Sequence, residues 1–192
     1  MGLCKPADYN ESEVTKNGIF GVLPYIAPEI IKCKHYTSAA DIYSFGIIMY
    51  EIISGLPPYP NATHDQFLAM NICNGRRPVF NNNTPQLIVQ LINRCLDANP
   101  LKRPTALEIC KILRGWAREL SEPSKPDQTG LIKQIREAEE SNNKSSVSYE
   151  TYSEVIHTSK WFKFDNLPEP KNSDDNNSKY SEFLQFDFTV DS

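Results

Sequence analysis

Between Asp41 and Glu51 the chain runs through Ile42-Tyr43-Ser44-Phe45-Gly46-Ile47-Ile48-Met49-Tyr50 without a charge, and at helical spacing its apolar groups fall on every side of the wheel. A helix of that kind is buried all round. It predicts a central strut that needs neighbours on every face. The two bracketing carboxylates keep it far below the ~20 apolar residues of a bilayer-spanning helix, and no charged-then-apolar N-terminal segment resembles a signal peptide. These features predict a soluble, intracellular chain.

Helix start signals recur around the strut, and each has a physical basis. Ser38-x-x-Asp41 has the form of a capping box, in which a hydroxyl and a carboxylate satisfy the free amides of a first turn. It predicts a helix from Ser38 to about Ser54 that stops at Gly55. Thr63-x-x-Gln66 predicts a shorter helix that Gly75 ends. Thr84-Pro85 places a cap before a proline at the first turn, and Leu87/Ile88, Leu91/Ile92 and Cys95/Leu96 then repeat as apolar pairs on one face. Thr105-x-x-Glu108 opens a last helix through Ile109, Ile112, Leu113 and Trp116 to about Leu120. Proline-rich connections such as Leu56-Pro57-Pro58-Tyr59-Pro60 separate these elements. No strand alternation of useful length occurs in residues 1–120, so the predicted class is mainly α.

Charge divides the chain. Residues 1–120 carry 12 basic and 10 acidic side chains and residues 121–192 carry 8 and 14, which is +2 against −6. The second part is also rich in Ser, Asn and Pro, a composition too polar to bury a core of its own. We therefore expect a folded unit over 1–120 and an acidic, largely disordered low-complexity tail over 121–192. Leu131, Ile132 and Ile135, with acidic residues from Glu137 to Glu140 after them, allow one short helix at 129–141, marginal on its own. Trp161-Phe162-Lys163-Phe164, Asn166-Leu167-Pro168 and the later Phe183, Phe186 and Phe188 are aromatic islands suited either to docking on a partner or to no role. The net charge of −4 and a pI near 5.4 give no nucleic-acid footprint. Five cysteines without a C-x-x-C pair suggest neither a disulfide framework nor a zinc site. A reducing, cytoplasmic setting fits, with the nucleus open.

Three segments together resemble one family. Gly21-Val22-Leu23-Pro24-Tyr25-Ile26-Ala27-Pro28-Glu29 is similar to the segment of eukaryotic protein kinases that closes the activation loop with Ala-Pro-Glu. Asp41-Ile42-Tyr43-Ser44-Phe45-Gly46 looks like the start of the central helix of the kinase C-terminal lobe. Asn99-Pro100-x-x-Arg103-Pro104-Thr105 resembles the loop whose arginine partners the Ala-Pro-Glu glutamate. In this order and spacing they identify the lower half of a kinase C-lobe, with an activation segment and about five helices. Val22 stands where Ser/Thr kinases usually carry a threonine, so the pattern looks closest to the tyrosine-kinase-like group. Serine/threonine or tyrosine as the acceptor stays open.

The resemblance implies roles residue by residue. Gly21, Pro24, Tyr25, Ala27, Pro28 and Glu29 would position a protein substrate, Pro24 and Tyr25 lining the pocket for the residue after the acceptor. Glu29 and Arg103 would form a buried bidentate pair. Asp41 would bond backbone amides of a catalytic loop, or serve only as a cap. Gly46 would allow close helix approach, or be a tolerated glycine. Tyr9, Ser12 and Thr15 would be phosphosites of the activation loop. ATP and magnesium are the family's cofactors. The eight glycines form no G-x-G-x-x-G, there is no V-A-I-K-like strand, and none of His35, His64 or His157 begins an H-R-D. No catalytic, cofactor or metal residue is expected in this chain. Met1-Gly2-Leu3 resembles the stretch just past the magnesium aspartate, Gly2 being the glycine of Asp-Phe-Gly, so the sequence reads as a fragment beginning inside that motif. The expected function is that of a protein-kinase portion, inactive alone; the alternative is a non-catalytic interaction module. Protein substrates or other kinases would be its partners, with neither nucleic acid nor membrane.

Overall fold

The computed structural model describes residues 18–32, 36–81, 83–121, 130–142 and 158–173. Gly2, Tyr9, Ser12 and Thr15, and with them the reading of the first residues as a catalytic motif, lie outside the described residues. So do Phe183, Phe186 and Phe188.

A short strand β1 (Ile19–Gly21) leads through a 3-10 turn at Leu23–Tyr25 into a one-turn helix α1 (Pro28–Ile31). The strut comes next as α2 (Ser38–Ser54), then α3 (Gln66–Cys73), α4 (Gln86–Cys95), a 3-10 turn at Pro100–Lys102 and α5 (Ala106–Ser121). Beyond them come α6 (Leu131–Asn142) and a second strand β2 (Lys160–Phe162). The mainly α class holds. The described residues nevertheless contain a two-stranded antiparallel sheet, in which Ile19 faces Phe162, Phe20 faces Trp161 and Gly21 faces Lys160. Three residues are too few for alternation to register, and the partner strand lies far away in the polar tail.

The caps form with varying fidelity to the sequence signals. At α5 the box closes fully: Glu108 Oε2 accepts from the Thr105 amide at 2.7 Å and from its hydroxyl at 2.8 Å, while the Glu108 amide donates back to Thr105 Oγ1 at 3.3 Å. These bonds to Thr105 hold the Glu108 carboxyl below its ordinary pKa, so the cap is retained at neutral pH and lost on acidification. At α2 the expected box is absent. Thr37 has the extended backbone that an N-cap needs and makes no side-chain cap bond, and Ser38 is already helical. At α3 the cap is Asp65, not Thr63. Its carboxylate accepts from the amides of Phe67 and Leu68, and Thr63 bonds that carboxylate. At α4 the Leu87 amide donates to Gln134 Oε1 at 3.0 Å, so α6 supplies the cap in place of Thr84. Thr84 Oγ1 instead donates to Asn81.

Two apolar clusters meet at α2. The larger joins Leu23, Ile26, Ile30 and Ile31 to Tyr43, Ile47 and Tyr50 of α2, to Leu68, Ile72 and Cys73 of α3, and to Ile92 and Leu96. The smaller joins Ile42 to Leu91, Cys95 and Ile109. The strut is not enclosed all round: Asp41, Ile48, Ile52 and Ile53 are exposed, Ile52 to 74%. Within the uncharged run itself only Ile48 is exposed, and the side of α2 that carries Ile48, Ile52 and Ile53 lacks, among the described residues, the covering neighbour that a strut needing neighbours on every face requires. Among the described residues no helix is long and apolar enough to cross a membrane.

Burial raises the thiol pKa of both Cys73 and Cys95 to about 11. Neutral, fully buried thiols are poor nucleophiles. At neutral pH the native chain should shield both from iodoacetamide and the denatured chain should not, as read by peptide mass spectrometry. Labelling of either at a free-thiol rate in the native chain would contradict this packing.

Candidate functional site

The site is organised around a buried charge pair. Glu29 enters at the start of α1, where Pro28 fixes the first helical turn without losing a needed donor. Arg103 comes directly after the Pro100–Lys102 turn, whose own cap is the Asn99 side chain accepting from the Leu101 amide. The two side chains meet in a fork: Nη1 to Oε1 and Nη2 to Oε2, both at 2.7 Å. Two further donors are used as well. Nε bonds the Asp97 carbonyl and Nη1 the Ala39 carbonyl, each at 2.8 Å. One guanidinium thus ties together α1, the first turn of α2 and the loop after α4.

Against the pair lies Tyr43, fully buried, with Arg103 and Arg77 over its ring at 5.2 and 5.4 Å from the centroid. Burial pushes its hydroxyl pKa up, and the two guanidiniums pull it back. Arg77 is held in turn by the carbonyls of Leu96 at 2.8 Å and of Ile72 and Arg76 at 2.9 Å. No motif or spacing in the sequence marks Arg77, whose value here is to bond three carbonyls at the junction of α3 and α4.

The segment before Glu29 is fixed at Tyr25. Its hydroxyl donates to Glu51 Oε2 at 2.7 Å, and its carbonyl accepts from Ser44 Oγ at 2.7 Å. Both partners stand on α2, Ser44 and Glu51 lying two turns apart. Desolvation, then the Glu51 carboxylate, raises the Tyr25 pKa. Gly21, Pro24, Ala27, Pro28 and Glu29 are buried and Tyr25 is half-buried, so of the pair expected to line a substrate pocket Tyr25 offers the surface. Gly46 sits where α2 crosses α4: a Cβ there would lie 2.8 Å from Cys95 Cβ and 2.9 Å from Leu96 Cδ2. Asp41 is exposed in the first turn of α2.

Among the described residues no group of three or more His, Cys, Asp or Glu side chains could hold a metal ion. The side chains that do converge make a mechanical anchor of hydrogen bonds and charge.

Comparison with known proteins places this geometry. The family model for protein tyrosine and serine/threonine kinases matches residues 1–113. The chain is similar to the serine/threonine-protein kinase VIK of Arabidopsis thaliana, 38% identical over 54% of this chain and 24% of that protein. It is likewise similar to the serine/threonine-protein kinase STY46 of the same plant, 31% identical over 66% of this chain and 24% of the relative. The chain spans about a quarter of the length of these curated relatives. With the family match reaching across more than half of its length, and with the charge pair seated between the segments that carry the resemblance, this chain belongs to the protein tyrosine and serine/threonine kinase family.

Proposed function

We propose that residues 18–113 supply the substrate-positioning and bracing half of a serine/threonine protein kinase, and that the chain by itself transfers no phosphate. The observation that carries this reading is the fork between Glu29 and Arg103, which fixes the Gly21–Glu29 segment to the helical base. A positioned backbone is what a protein substrate needs, since phosphoryl transfer depends on alignment as much as on charge. ATP and magnesium would be bound by motifs not found in this sequence, the glycine-rich cover, strand lysine and catalytic-loop aspartate. Partners would be protein substrates, in the cytoplasm.

Two measurements test the proposal. Purified chain incubated with labelled magnesium-ATP and a serine/threonine peptide mixture should incorporate no label. A chimera carrying residues 18–113 in place of the matching segment of VIK should phosphorylate peptides and lose that activity with Glu29→Ala. Label transfer by the isolated chain, or a folded chimera without activity, would overturn it.

A further inference from the structure

Residues 158–173 lie along the domain in a manner that differs from its other elements. They are fixed at many points. β2 pairs with β1. The Phe162 and Phe164 rings stack at 5.4 Å and pack with Leu167 against the main core. Gln66 Nε2 donates to the Asp165 carbonyl at 3.2 Å, the Lys171 amide to the Cys73 carbonyl at 3.0 Å, and the Ala98 amide to Asn172 Oδ1 at 2.8 Å. Lys32 pairs with Glu169. Yet none of these sixteen residues is buried, and Trp161 is 63% exposed. The surface beneath is the opposite: Gly18, Ile19, Cys73 and Gly75 are all buried.

Two glycines mark the ends of the contact. A Cβ on Gly18 would stand 2.4 Å from the Phe162 carbonyl oxygen, and one on Gly75 would stand 2.3 Å from the Ser173 nitrogen and 2.7 Å from the Asn172 carbonyl carbon. Both have positive φ, +90° and +99°, so turn geometry alone explains glycine there, but the close approach of a foreign backbone is a separate constraint. The result is an extended segment laid across the domain and covering these residues, paired edge to edge with β1 at one end and bonded at the other to the Cys73 carbonyl at the end of α3 and the Ala98 amide in the loop after α4. Addition of a strand to an exposed edge, with pockets for alternate side chains, is a general mode of peptide recognition.

We propose that the face formed by β1, the C-terminal end of α3 and the loop at Asp97–Ala98 is a peptide-docking groove, and that residues 158–173 are its tethered, displaceable occupant. The groove reads an extended segment with an aromatic-basic start and a Leu-Pro-Glu end, here Lys160-Trp161-Phe162-Lys163-Phe164 and Leu167-Pro168-Glu169. β1 runs directly into Leu23–Tyr25, so the docked segment stands at the approach to the substrate-positioning stretch; that consequence, competition with an extended protein substrate, rests on the function proposed above, while the docking itself does not.

The test uses the full chain and a fluorescein-labelled synthetic peptide of residues 158–173. In the unmodified chain, amide hydrogen exchange in 160–173 should run at least tenfold faster than in α2 and at least tenfold slower than in the free peptide. Labelled peptide should bind the Phe162→Asp/Phe164→Asp chain, whose own segment is released, at least tenfold tighter than the unmodified chain by fluorescence anisotropy. Adding Gly75→Val should abolish that binding while α2 stays protected. Exchange in 160–173 as slow as in α2 would make the segment an integral part of the fold and overturn the proposal. Equal binding to both chains, or binding to neither, would overturn it too. None of these readouts involves phosphate transfer, so the docking fails or stands apart from the kinase reading.

Discussion

Replacing Arg103 by methionine is expected to lower unfolding stability by about 3–5 kcal/mol, the cost of leaving one member of a buried ion pair without its partner. The upper end of that range is expected because the guanidinium also serves the Asp97 and Ala39 carbonyls, and a buried carbonyl left unpaired is itself costly. Glu29→Met should cost less, since Arg103 keeps both carbonyls and its place over Tyr43. The double substitution should not recover full stability, in contrast with ion pairs whose replacement by apolar groups is neutral. Urea midpoints for the two single variants and the double variant give the coupling directly. Single losses below about 1 kcal/mol would mean that water reaches the pair, as it does for the exposed Lys133–Glu137 pair on α6.

Gly46→Ala carries the second large effect, and here two opposing magnitudes decide the sign. Alanine in a helix interior is favoured over glycine by about 1 kcal/mol. Against this stands overpacking, which costs about 1–3 kcal/mol when the neighbour cannot move. The Leu96 methyl can rotate away, but Cys95 Cβ is fixed to the α4 backbone at 2.8 Å. Net destabilisation of about 1–2 kcal/mol is therefore expected, rising with Gly46→Val. A thermal or urea midpoint equal to or above that of the unmodified chain would show that α4 shifts freely and that the glycine is merely tolerated.

The first of these sites was also the most legible in the sequence, for a physical reason. Glu29 and Arg103 are charges that must be satisfied when buried, and the family resemblance of the two segments that carry them implies their pairing, whereas Gly46 stood open between close helix approach and a tolerated glycine. Local signals served less evenly. Thr105-x-x-Glu108 and Ser38-x-x-Asp41 have the same form, yet only the first closes, because Thr37 and not Ser38 takes the extended conformation before the helix. A capping motif gives the register only when the preceding backbone agrees. The side of α2 bearing Ile48 and Ile52 could not be told from its buried sides, since apolar composition is the same on each. Least legible was the contact of β2 with β1. The aromatic islands at Trp161–Phe164 and Asn166–Pro168 stand out from their polar background, but nothing in them names this chain's own β1 as the partner, and Gly75 read as a helix stop without revealing that Asn172 and Ser173 pass over it.

The contact between Lys32 and Glu169 joins residues 137 positions apart, and that separation sets a clock during synthesis. At about 5–20 residues per second, β1 and the groove beside it emerge on the order of ten seconds before the segment that will lie on them has been made. During that interval the nascent edge is open to any extended chain nearby. In the docking proposed above, the order of translation leaves this face uncovered until the chain's own segment arrives, and the advantage of that segment over any other extended chain is its tether.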